Sequence, residues 1–208
     1  MGDPSRRLLP YRYYNAAMGI IVLSVLVYFV SRAEPRTFGL MLLGRDRLTD
    51  GRIWTPLTYL FLHNPSGGFV SMHLLFNMLG LYWFGAPVER SIGSSEFLWL
   101  YLGAGVAAGL LAVLVSPALV LGASGAVFAV MLVYATLFPD ARIVLFFFLP
   151  LRAPVAVLVF AGVAIVGSLG TGVQPGIAHI AHLGGLAAGW IYCQWRLGRN
   201  PIDAFLRR

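Results

Sequence analysis

The constraint that dominates this sequence is a succession of apolar runs, each close to the length needed to cross a bilayer, in a chain with too little charge to coat a water-facing surface. Hydrophobic residues make up 59% of the 208 positions and charged residues 11%, and the mean hydropathy is +0.80. A soluble domain carries about 25% charged residues. Lipid must therefore act as solvent for most of the surface. A spanning helix needs ~20 mostly apolar residues. The runs at 16–30, 69–85, 97–115, 122–138, 155–169 and 177–195 predict an all-α fold, a polytopic bundle of six transmembrane helices. The bundle occupies 16–195, between a short N-terminal segment, 1–15, and a basic tail, 196–208. No cleavable signal peptide is expected ahead of the first run.

Three stretches fall outside this scheme. Residues 54–62 are apolar and aromatic but too short to span, and read as an interfacial or re-entrant element within the polar stretch 31–68. The run 143–149 is stopped by Pro150, Arg152 and Pro154, which places it at the interface. Residues 170–176 are a flexible loop by composition.

The formal net charge is +7. All fifteen basic residues are Arg, and they lie between and beyond the apolar runs. There they read as topology signals and lipid-headgroup contacts rather than as a nucleic-acid surface. With six spans both termini share a side. Arg6, Arg7, Arg12, Arg90, Arg142, Arg152, Arg196, Arg199, Arg207 and Arg208 fall on that side, and Arg32, Arg36, Arg45, Arg47 and Arg52 fall on the other. Ten against five favours cytoplasmic termini. The single cysteine, Cys193, cannot form an internal disulfide and reads as a small buried hydrophobe.

Ionisable and polar residues at membrane depth are costly and mark function by default. Ser124, in Gly122-Ala123-Ser124-Gly125, opens the fourth run. Serine is a common N-cap. A helix start also offers unpaired N–H groups and a positive dipole end, which suit an oxyanion. His179 and His182 share a helix face, and Gly185 and Gly189 lie near it, so that face can pack closely on a neighbouring helix. Interhelical hydrogen bonding accounts for this pair equally well. Four histidines without clustered carboxylates or cysteines give no metal site, and no cofactor motif is present. His73 and Asn77 are one turn apart, both able to donate hydrogen bonds sideways. Together these residues make a nucleophile, a base and two oxyanion donors.

The segments His73-Leu74-Leu75-Phe76-Asn77, Gly122-Ala123-Ser124-Gly125 and His182-Leu183-Gly184-Gly185, followed by Gly189, resemble the signature motifs of rhomboid intramembrane serine proteases, in order, on the second, fourth and sixth spans. The resemblance covers 54–195. It implies Ser124 as nucleophile and His182 as general base in a dyad without a carboxylate. It implies His73, Asn77 and the Ser124 N–H as oxyanion donors. It further implies Phe128 stacked on the histidine, and Gly122, Phe128 and Trp54 at the substrate. Glu89 and Arg90 match a charged pair at the inner end of the second span. Two departures stand out: Thr55 follows Trp54 where the family has Arg, and Asn64-Pro65-Ser66-Gly67-Gly68 reads as an insertion between His63 and His73. His63 is then a loop-stabilising residue.

The implied activity is cleavage of transmembrane protein substrates near the outer surface of a bacterial inner membrane, with lipids as surroundings and no metal or nucleic acid involved. Two other readings fit parts of the pattern. One is an inactive, client-binding relative, which the intact Ser124 and His182 oppose. The other is a small transporter lined by His73, Asn77, His179 and His182, which leaves Ser124 at a helix start without a role.

Overall fold

The computed structural model describes residues 8–65, 70–145, 149–169 and 177–206. The expected loop 170–176, positions 66–68 of the insertion, and Arg6, Arg7, Arg207 and Arg208 lie outside the described residues.

The fold is predominantly helical. Helix α1 (Ala16–Ala33) is followed by three short helices, α2 (Pro35–Met41), α3 (Arg45–Thr49) and α4 (Thr55–Thr58), with a 3-10 turn at Tyr59–Phe61. Helices α5 (Met72–Gly80) and α6 (Ala86–Ile92) are joined end to end through a π-helical stretch, Leu81–Gly85. Helices α7 (Ser94–Val115), α8 (Ser124–Leu137), α9 (Ala153–Leu169), α10 (Ile177–Trp195) and α11 (Pro201–Leu206) complete the order. Helices α1 and α7 are long and apolar enough to cross a membrane, and α8 is apolar but shorter.

The local sequence explains these boundaries. Ser71 caps α5, its Oγ accepting the Leu74 N–H at 3.2 Å. Pro87 lies in the first turn of α6. It has no N–H for the carbonyl one turn back, and the wider π-helical winding just before it accommodates that loss. Gly93, at φ +87°, ends α6 and lets the chain reverse directly into α7.

Two features depart from the sequence reading. The run expected at the interface forms an antiparallel hairpin, β1 (Arg142–Leu145) with β2 (Leu149–Arg152), so the fold is not wholly α. The β-branched Ile143 and Val144 suit a strand. Pro150 pairs with Val144. The Ala153 N–H donates to the Ala141 carbonyl at 2.8 Å. That bond sets the ladder parity, and it makes Val144–Pro150 a pair whose N–H positions point away from the partner strand. Proline costs the ladder nothing there. The segment after 195 is also more than a basic tail: α11 packs against α8, with Pro201 and Ala204 buried.

At the centre, α8 packs most extensively on α10, and α10 on α7. The contact is made by backbones. A Cβ at Gly185 would collide with the Gly125 carbonyl, one at Gly189 would meet Ala129 Cα at 2.9 Å, and one at Gly184 would meet Ala108 Cα at 3.2 Å. This is the small-residue packing that brings membrane helices closest together.

Carboxylates in the first turns of α6 and α7 hold the N-terminal segment. Glu89, fully buried, accepts the Ala16 N–H at 2.5 Å, the Ala17 N–H at 2.9 Å and the Ser94 hydroxyl. Its oxygens serve helix α1, so its role is that of a distant cap. Glu96, also buried, accepts from Arg196 through Nε at 2.9 Å and Nη2 at 2.6 Å, from the Tyr192 hydroxyl at 3.0 Å and from the Leu9 N–H at 2.9 Å.

Candidate active site

The loop ahead of α8 sets the position of Ser124. Its edges are pinned by backbone: Leu43 and Val120 form a two-way bridge, and the Gly122 N–H donates to the Tyr59 carbonyl at 3.0 Å. Gly122 has φ +111°, a conformation open to glycine. A Cβ there would also meet His73 Cε1 and Nε2, each at 2.7 Å. Two residues later Ser124 begins the helix, so its N–H belongs to the first turn, which has no intrahelical acceptor.

The close approach of α8 and α10 brings Ser124 and His182 together across 58 positions of sequence. Ser124 Oγ and His182 Nε2 are 2.8 Å apart. Phe128, one turn after the serine, stacks on the imidazole with ring centroids 4.4 Å apart and planes 4° from parallel. Phe128 also meets Phe160 of α9 edge-on, at 6.4 Å and 72°.

His73 and Asn77 face this pair from α5. His73 Nδ1 accepts the Asn64 N–H at 3.3 Å. That bond places the ring proton on Nε2, the edge turned toward Gly122. Asn77 is 4% exposed and donates one amide N–H to the His73 carbonyl at 2.8 Å. Its amide carries a second donor.

Ser124, His182, His73, Asn77, Gly122 and Phe128 all line one cavity of about 1280 Å³. Trp54 does not. It stands at the start of α4, 47% exposed, and its indole N–H donates to the Leu40 carbonyl at 3.0 Å. Through that bond it braces α2. Thr55, where arginine was expected, is buried and donates to the Arg52 carbonyl at 2.9 Å.

Some neighbours were not legible beforehand. The Asn64 contact is made by a backbone amide, which no side-chain pattern reveals. Phe160, Trp83 and the hairpin residues Arg142, Ile143 and Val144 also line the cavity. In the sequence they are indistinguishable from lipid-facing or interfacial positions. His63 and His179 lie beside the site. The His63 ring is 5.2 Å from His73, and the His179 ring is 5.7 Å from His182, edge-on. Neither lines the cavity.

A family model, the rhomboid domain, matches residues 50–199. The chain belongs to the rhomboid family. Rhomboid proteins are membrane-embedded, in keeping with the two long apolar helices. It is 30% identical to RHOMBOID-like protein 12, mitochondrial, of Arabidopsis thaliana, over 89% of this chain and 60% of that protein. It is also 30% identical to Rhomboid protease GlpG of Haemophilus influenzae, over 74% of this chain and 76% of that protein. Rhomboid protease GluP of Bacillus subtilis is 34% identical over 52% of this chain and 22% of its own length. The chain thus spans much less than the full length of some of these rhomboid relatives.

Proposed function

We propose that this rhomboid is an intramembrane serine endopeptidase that cuts transmembrane segments of other membrane proteins near the outer surface, with Ser124 and His182 as its catalytic dyad. The observation that carries this reading is the 2.8 Å contact between Ser124 Oγ and His182 Nε2 at the start of a helix, inside a cavity. Named proteases among the relatives support the reaction class.

The chemistry follows from these positions. His182 Nε2 takes the serine proton as Oγ attacks a peptide carbonyl. The carbonyl oxygen becomes an oxyanion, held by the Ser124 N–H, the His73 Nε2–H and the free N–H of Asn77. The imidazolium then gives its proton to the leaving amine. Water repeats the cycle on the acyl-enzyme, with His182 as base again. No carboxylate is needed to steady the imidazolium if Phe128 fixes its plane and presents a π face to its charge. A helical peptide bond is shielded by its own hydrogen bonds, so small or helix-breaking residues near the cut are expected in substrates.

Six spans with both ends in the cytoplasm of a bacterial cell complete the proposal, supported by the Arg distribution and by helices at all six expected positions. The decisive experiment is labelling with a fluorophosphonate probe. Wild type should react and Ser124→Ala should not. Equal labelling of both, or none of folded wild type, rejects the dyad.

A further inference from the structure

The hairpin of β1 and β2 stands about 20 Å from Ser124 along α8, given 14 residues of helix between them. It nevertheless lines the same cavity. The way it does so is informative. Arg142, Ile143 and Val144 border the cavity in succession, and no residue of β2 does. Side chains alternate across a strand, so three consecutive positions bordering one space fit a strand whose edge faces it.

That edge is unpaired. Among the described residues the sheet has two strands, with β1 paired on one side only. The ladder parity set by the bond from Ala153 to Ala141 directs the Ile143 backbone toward β2. The N–H and C=O groups of Arg142 and Val144 point the other way, away from β2. Open strand edges are templates for another extended chain, and they are disfavoured wherever water is scarce.

We propose that the β1 edge is a second substrate-binding site. It takes the segment of a membrane-protein substrate beyond the inner end of the cut helix, in extended form, by main-chain pairing with Arg142 and Val144. The proposal rests on the proteolytic reading above, since it assigns the cavity to substrate. The occupant is an extended polypeptide because the groups on offer are alternating backbone donors and acceptors. Recognition through main chain tolerates varied sequences, and a Val144 side chain 56% exposed leaves room for the incoming strand. Anchoring there holds the far end of the substrate while the near end unwinds at Ser124.

Val144→Pro is the selective test. It deletes an outward N–H while sparing the β1–β2 ladder, and proline is tolerated on strand edges. Val144→Ala keeps the N–H. A model single-span substrate carrying its cytoplasmic flank is compared with the same substrate lacking the flank. For Val144→Pro, KM for the flanked substrate should rise roughly three- to tenfold, as for loss of one hydrogen bond, with kcat unchanged. Cleavage of the flankless substrate and fluorophosphonate labelling should stay at wild-type levels. Val144→Ala, which keeps the N–H, should raise KM for the flanked substrate less than Val144→Pro does. Unchanged KM in Val144→Pro overturns the proposal. So does an equal loss on both substrates. A photo-crosslinking residue at position 144 gives an independent readout. Adducts to the substrate flank support the site, and adducts to lipid alone reject it. Wild type that neither labels nor cuts would fail the proteolytic reading itself, a result distinct from either.

Discussion

Phe128 and His182 lie face to face, ring centroids 4.4 Å apart and planes 4° from parallel. In the proposed mechanism the stack holds the imidazole plane and supports its protonated form. A cation over an aromatic face gains about 0.5–2 kcal/mol. Phe128→Leu is expected to lower kcat by roughly 2- to 30-fold. Phe128→Tyr keeps the ring and should remain near wild type. Steady-state cleavage of a model transmembrane substrate checks both.

Gly122→Ala should be inactive yet folded. The new methyl would meet His73 at 2.7 Å and would require φ +111° from an L-residue. Displacing one oxyanion donor typically costs about 10²–10³ in rate. Substrate turnover should therefore collapse, while thermal unfolding in detergent shifts little by comparison. A Gly122→Ala protein of wild-type activity would remove His73 from the proposed mechanism.

Gly185→Val attacks the seam between α8 and α10. Its side chain has no space, because even a methyl collides with the Gly125 backbone. Forced overpacking costs typically 1–3 kcal/mol or more. Loss of activity here should come with a lowered unfolding midpoint, which separates it from Gly122→Ala.

Arg196→Ala leaves Glu96 buried without its bidentate partner. Removing one side of a buried pair costs about 3–5 kcal/mol. The pair is far in sequence and role from Ser124, so the fraction of molecules that remain folded should label with a fluorophosphonate at the wild-type rate. Quantitative labelling against an unfolding curve measures both.

Much of this site could be read from residues alone. His73, Asn77, Ser124 and His182 are polar groups in apolar runs, where chance placement is penalised, so their presence is a signal. The helices follow the apolar runs for the same reason. What escaped detection depends on backbone. The hairpin at 142–152 was hidden because a short apolar run bounded by prolines fits a strand or an interfacial helix equally. The Asn64 amide that fixes the His73 tautomer has no sequence signature. Trp54 differs again: its indole bonds a neighbouring short helix, and it does not line the cavity.

Helix α1 has no cap of its own. Asn15 makes no capping bond, and the first two amides of the helix are held by Glu89. The start of this helix must therefore wait for a carboxylate made more than seventy residues afterwards. Until α6 is in place, that helix end has exposed donors and no settled start. Assembly in the bilayer thus closes in a loop, with the first turn of α1 finished only when α6 arrives.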